Sequence, residues 1–267
     1  MKEAGTVEKW KNLKSGPDAA AVLVVDYPAY GPEPSVRDLA PLLDVAYGVW
    51  GPWPPESCAD RSATAYCADW LRQVRDGDVT VWAVLGSCAG AALACFLAGE
   101  LGHGHRKPAV LLLDPDTVRG EMLHYQFMLA IARLPEVAAA ELAALDEKAR
   151  QVCQSAQVPA AADALAAEYH AVGMRVLPEL GIDLETAEEM CARFTQYLDY
   201  LVVCWHTGYG ASDADTVTIL SRGYHPPAGL RGGISHVQVD HADLFADPGV
   251  VALASAALRR LPSQFGR

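Results

Sequence analysis

Residues Val79–Gly99 read V-T-V-W-A-V-L-G-S-C-A-G-A-A-L-A-C-F-L-A-G. The apolar run Val79–Gly86 has the length and β-branched content of a buried strand, and the small-residue stretch Ala89–Gly102 that follows predicts a helix. Between them lies Gly86-Ser87-Cys88-Ala89-Gly90, the G-x-nucleophile-x-G pattern with cysteine at its centre where serine is usual. The glycines answer a steric demand. A strained strand-to-helix turn leaves no room for side chains at Gly86 or Gly90 against neighbouring backbone. Ala89 follows the central residue, so its N–H is a candidate oxyanion donor, and the positive end of the helix favours a thiolate at Cys88. The plain alternative is a packing turn that happens to hold a cysteine. Ser87 offers a hydroxyl in the same turn, but an elbow centred there needs a small residue at position 85, where Leu85 stands.

Outward from this segment, further short apolar runs bounded by turn residues predict strands at Ala20–Tyr27, Val45–Gly51, Ala109–Asp114, Thr216–Ser221 and His236–Asp240. Ser62–Arg75 and Pro248–Leu261 fit helices, the second opening with proline at a favoured position. Strands alternating with helices imply βαβ units and a parallel sheet. From Asp116 to Asp215 the pattern turns helical and rich in Ala, Leu and Glu, with Pro135, Pro159 and Pro178 dividing it into four or five helices. Strand-like sequence resumes afterwards. A helical insertion over about 116–215, within a single domain spanning 1–267, is the expected organisation, with a separate helical domain as the alternative.

Partners for Cys88 occur in a telling order. Asp114 ends the next apolar strand, with Asp116 as the second choice, and His241 follows the last predicted strand, before the final helix. His236 is a weaker contender because it opens that strand. Nucleophile, acid, base along the chain, with the histidine on the final strand-to-helix loop, is the arrangement of the α/β-hydrolase fold. That fold has a mostly parallel central sheet, helices on both faces and, here, a helical lid insertion. Its first strand's loop supplies a second oxyanion N–H, and Ala29, with Tyr30 next, is the candidate in Asp26-Tyr27-Pro28-Ala29-Tyr30-Gly31.

Composition narrows the classes of function. The chain has 267 residues, half of them hydrophobic, enough for a sizeable core. A formal net charge of −12 argues against nucleic-acid or anionic-membrane partners, which need a basic surface. No apolar stretch approaches the ~20 residues of a membrane helix, and Met1–Ser15 is polar, so a cytoplasmic protein is expected. The seven scattered cysteines form no CxxC pair, so neither a disulfide framework nor a structural zinc site is expected, and most read as buried small hydrophobes. No metal and no bound cofactor is implied.

Together these segments resemble the thioesterases that serve nonribosomal peptide and polyketide synthetases, including the free-standing type II enzymes. Tyr27–Gly31 is similar to that family's F-P-x-A-G-G loop, Val49–Pro55 to the stretch after its second strand, and the strand ending at Asp114 to its aspartate strand. His241-Ala242-Asp243-Leu244 is similar to its H-x-x-L/M segment, and Tyr197, Tyr200 and Thr207-Gly208 to the return from its lid. Ser87 replaces the histidine usual before the nucleophile, and the loop's Gly-Gly is only partly kept.

The resemblance implies a substrate carried on the phosphopantetheine of an acyl- or peptidyl-carrier protein. Its cysteine variants include carrier-to-carrier aminoacyl shuttles. Cysteine suits such exchange, because attack on a pantetheine thioester yields another thioester of nearly equal energy, whereas serine yields a less activated ester. The expectation is a cysteine-dependent acyl or aminoacyl transferase or thioesterase. A small-molecule ester or lactone hydrolase with a cysteine elbow is the alternative enzyme, and a non-catalytic binding module the third reading. The lid is expected to set the acyl group, with Tyr169, His170, Tyr197, Tyr200, Trp205 and His206 as pocket candidates.

Overall fold

The computed structural model describes residues 10–16, 20–27, 34–55, 58, 60–77, 79–102, 107–135, 137–209 and 216–263. They fall in two compact units. The first comprises Met1–Pro55, Ser62–Thr117 and Thr207–Arg267, the second Glu56–Arg61 and Val118–His206.

The first unit is built on a seven-stranded sheet of β1 (Trp10–Lys14), β2 (Ala20–Val25), β3 (Gly48–Pro52), β4 (Thr80–Ser87), β5 (Ala109–Leu113), β6 (Thr216–Leu220) and β7 (Gly233–His236), in the order β1-β3-β2-β4-β5-β6-β7. Every pair is parallel except β1 with β3. The central strands are buried along nearly their whole length, as strands covered on both faces must be. On one face Val22, Val24, Ala83, Leu85, Leu111 and Leu113 pack with α1 (Val36–Leu39) and α8 (Pro248–Ser263), through Leu39, Val250, Ala254 and Leu258. On the other face lies α3 (Gly90–Leu101), with α2 (Ala63–Asp76) beside it. Ser62 caps α2 by accepting from the Ala65 N–H at 3.2 Å, so that helix starts where its sequence signal stands.

Two strand expectations need correction. The last strand is Gly233–His236, not His236–Asp240; the V-Q-V alternation after His236 forms the approach to the histidine turn, where the Val237 and Arg222 N–H groups hold Leu220 and Val239 carbonyls. The antiparallel edge strand Trp10–Lys14 carried no apolar run and was unforeseen. Its one buried residue, Trp10, packs on Trp70 of α2 at 6.1 Å between ring centroids.

The second unit is helical: α4 (Gly120–Ile131), α5 (Ala139–Ser155), α6 (Val158–Glu179) and α7 (Leu184–Thr207, whose last residue falls in the first unit). Pro159 stands in the first turn of α6, where its missing N–H costs nothing. Pro178, expected to divide helices, is the penultimate residue of α6 and closes it. The aromatic core includes Tyr169 against Phe194 at 4.4 Å, with Phe127 at 6.4 Å from Phe194. Arg61 joins α6 to α7 through Asp163 (2.6 Å) and Asp199 (2.7 Å). Among the described residues no helix is long and apolar enough to cross a membrane.

Candidate active site

The carboxyl ends of β4, β5 and β6 and the turn before α8 bring four side chains of the first unit together. β4 stops at Ser87, and Cys88 takes φ +46°, the left-handed conformation that a non-glycine residue adopts only when its surroundings hold it there. Those surroundings are hydrogen bonds on both sides of the residue. The Cys88 N–H donates to the Leu113 carbonyl (3.2 Å), while its own carbonyl accepts from the N–H groups of Ala91 (3.3 Å) and Asp116 (3.1 Å) and from the Tyr209 hydroxyl (3.3 Å). The strain falls on Cys88 and not on Ser87, which is buried at the strand end. A Cβ added at Gly86 would sit 2.7 Å from the Ala94 Cβ and 2.8 Å from the Ala91 Cα, so the glycine is what allows α3 to start so close to β4.

Asp114, fully buried, also has a left-handed backbone, φ +42°, held by its N–H on the Ile219 carbonyl at 3.0 Å. Its carboxylate accepts the Ser221 N–H at Oδ1 (2.7 Å), and the Ser221 hydroxyl (2.5 Å) and His241 Nδ1 (2.6 Å) at Oδ2. A buried charge survives only with such donors around it. With the Nδ1 proton committed to Asp114, His241 Nε2 is left as an acceptor, 3.9 Å from Cys88 Sγ. The His241 side chain is half exposed, at 50%. A thiol, an imidazole that can take its proton and a buried carboxylate that orients the imidazole form a chain suited to nucleophilic attack on a carbonyl.

Asp116 is not the residue that meets the histidine. Its Oδ1 accepts its neighbour Thr117's N–H at 2.7 Å, and its carbonyl accepts the Tyr209 hydroxyl at 2.8 Å. His236 ends β7 opposite Leu220 and is exposed. Ala89 is the residue before α3, buried, and among the described residues no acceptor takes its N–H. Ala29 and Tyr30 lie outside the described residues. Of the helical residues, Tyr169 and Tyr200 are buried, and His170 bonds Glu188 at 2.8 Å. Among the described residues no three His, Cys, Asp or Glu side chains are grouped so as to hold a metal ion.

Three supporting residues went unremarked in the sequence: Ser221, Tyr209 and Tyr224. Only Ser221 left a signal there, a hydroxyl ending the strand next to the aspartate strand.

The other cysteines differ from Cys88 in environment. Burial pushes the Cys95 thiol up to about 11 and raises those of Cys153 and Cys191, while Cys58, Cys67 and Cys204 are buried. Iodoacetamide at neutral pH is therefore expected to modify Cys88 first, by at least tenfold in rate, because only a thiolate reacts appreciably. Peptide mapping after a single equivalent checks this; label appearing first at Cys95 or Cys153 would contradict it.

Asp26 follows Val25, which pairs with Gly86 across β2 and β4. The residue is partly buried, and among the described residues its buried Oδ2 finds no hydrogen-bond partner. Desolvation raises this carboxyl to about 7, against smaller opposing effects of a Ser35 hydrogen bond and the Arg37 charge. The folded protein therefore holds a proton that the unfolded chain loses near its ordinary 3.8, so stability falls as pH rises from about 4 to about 7 and levels off above. Asp26→Asn is expected to remove that slope and to gain stability over wild type at pH 7.5 but not at pH 4. Urea unfolding at the two pH values tests it; an identical slope in the variant would contradict the assignment.

No family model matches the sequence, and no curated protein does. Solved structures do share the fold. The NocB thioesterase domain in covalent complex with a fluorophosphonate nocardicin G analogue superposes with a TM-score of 0.51 at 16% identity, over 95% of this chain and 99% of that one. The Vlm2 thioesterase domain bound with a dodecadepsipeptide gives 0.50 at 17% identity, over 96% and 99%. A haloalkane dehalogenase loop variant from Bradyrhizobium elkanii gives 0.50 at 13% identity, over 96% and 93%. At such identities the likeness establishes the fold, and the fold is α/β-hydrolase.

Proposed function

We propose that this chain is a cysteine-dependent acyl-thioester enzyme, an acyl or aminoacyl transferase or thioesterase that works on carrier-protein-bound pantetheine thioesters in nonribosomal peptide or polyketide biosynthesis. The observation that carries the reading is sulfur at the elbow: Cys88 Sγ faces His241 Nε2 at 3.9 Å, with His241 Nδ1 on buried Asp114. The thioesterase domains among the solved structures of the same fold support the substrate class.

In the proposed cycle His241 Nε2 takes the Cys88 proton, and the thiolate attacks the thioester carbonyl. The Ala89 N–H, and that of Ala29, hold the resulting oxyanion. Collapse expels the pantetheine thiolate, which receives the proton from His241, and leaves an acyl group on Cys88. A second thiol, an amine or water then gives its proton to His241 and attacks the acyl-enzyme, releasing the acyl group and the free thiol of Cys88. Because donor and acceptor thioesters are nearly equal in energy, passage to a second carrier needs no other driving force.

Incubating the protein with an acyl-loaded carrier and an unloaded second carrier, followed by intact-mass analysis, tests the reading. The acyl group is expected on the second carrier or, if water competes, as free acid. Retention on the first carrier, with consumption of a free ester or lactone instead, would overturn it in favour of a small-molecule hydrolase.

A further inference from the structure

The His241 imidazole has a fixed end and an exposed face. Its Nδ1 is fixed by Asp114, but half of the side chain is exposed, and rotation about that anchor would carry Nε2 away from Cys88. Among the described residues, two rings lie against the imidazole. Phe245 meets it edge-on, at 6.4 Å and 74°, whereas Tyr224 stacks against it at 5.9 Å and 17°. Tyr224 neighbours Asp116, whose charge acts on its phenol, and the Asp116 N–H donates to the carbonyl of Cys88 at 3.1 Å. Tyr209 closes the same loop, its hydroxyl donating to the carbonyls of Asp116 (2.8 Å) and Cys88 (3.3 Å).

We infer that Tyr224 is a positioning residue for the Cys88–His241 pair: its ring, stacked on the imidazole, holds that imidazole in line with the sulfur. The inference rests on the pairing used in the proposed function, but not on the identity of the acyl group. A stacked aromatic face both restricts ring rotation and favours the cationic imidazolium over the neutral ring. It thus acts on the state in which Cys88 is a thiolate. Burial and the neighbouring charges at Cys88, Asp116 and Asp114 push the Tyr224 phenol well up, so it stays neutral wherever the enzyme would work. Among the described residues, the titratable groups seen to meet the imidazole are Cys88, Asp114 and Tyr224. Asp240, Asp243, Arg222 and His225, on the adjoining turns, are exposed, and Arg222 is paired with Asp240 at 3.4 Å.

Tyr224→Leu and Tyr224→Phe separate this role from plain packing. The rate of Cys88 alkylation by iodoacetamide, followed against pH by intact mass, reports the thiolate without any acyl substrate. Tyr224→Leu is expected to move the alkylation midpoint up by about one pH unit and to lower kcat for carrier thioester about 10- to 100-fold, with KM within about twofold, as for loss of a group that orients a base. Tyr224→Phe, which keeps the ring, is expected to restore most of both. If the leucine variant does not fold, Tyr224→Met removes the ring with less change in volume and gives the same readings. An unmoved midpoint in a folded ring-less variant overturns the inference. A moved midpoint in a protein whose wild type consumes no carrier thioester leaves it standing and removes the proposed substrate instead.

Discussion

His241→Ala is expected to slow thioester consumption about 10⁴-fold while leaving the fold intact. Both halves follow from where the side chain lies. Triads lose on the order of 10⁴ to 10⁶ in kcat when the base or nucleophile is removed, because the remaining members cannot act alone. Here the imidazole is the acceptor facing Cys88 Sγ, and among the described residues it is the side chain that links the sulfur to Asp114. It is also half exposed, and its loss leaves Asp114 with two donors from Ser221, so the buried carboxylate is still satisfied. Asp114→Ala would be a poorer test. It strips Ser221 of its partner in the buried interior and so mixes stability with catalysis. Mass spectrometry of the remaining acyl carrier, together with a thermal melt, reads both quantities for His241→Ala; a rate within tenfold of wild type would take His241 out of the mechanism.

Gly86→Val is expected to have the largest effect on stability, more than about 4 kcal/mol, which few domains can lose and remain folded. Even a single Cβ there falls 2.7 Å from the Ala94 Cβ, 2.8 Å from the Ala91 Cα and 3.0 Å from the Gly90 carbonyl oxygen. Two of those atoms are backbone of the elbow and of α3, so relief requires moving the helix. That helix packs on the sheet with Ala91, Leu93, Ala94 and Leu97 fully buried or nearly so, and interiors packed this densely do not yield by an ångström without loss. Expression of soluble protein and a urea melt check the prediction. A variant that melts within 1 kcal/mol of wild type would mean that α3 can shift freely, and that the elbow is not the rigid support described.

The elbow was legible because its constraints are local. Gly86, Cys88 and the small residues after them sit within one turn, and each is required by backbone geometry within a few residues. Asp114 could be preferred to Asp116 on its place at the strand end, and the 2.6 Å bond to His241 Nδ1 now distinguishes them. Ser221, Tyr209 and Tyr224 could not be read the same way. Ser221 reaches Asp114 across 107 residues, through a β5–β6 register that pairs Leu113 with Ile219 and is not written in either strand alone. Tyr209 reaches the Cys88 carbonyl across 121 residues, and nothing in its own neighbourhood marks it as a donor. The edge strand Trp10–Lys14 was illegible for a different reason. Its exposed face is polar, and its antiparallel pairing with β3 buries only Trp10.

A covalent bond to one sulfur decides whether Cys88 is the nucleophile. Wild-type protein mixed briefly with an acyl-loaded carrier and quenched in acid should gain the mass of the acyl group. Peptide mapping should place that mass on Cys88, hydroxylamine should remove it, as expected for a thioester, and Cys88→Ala should show neither adduct nor turnover. An adduct that persists in Cys88→Ala, or carrier thioester consumed by that variant at the wild-type rate, would contradict the assignment of Cys88 as the nucleophile.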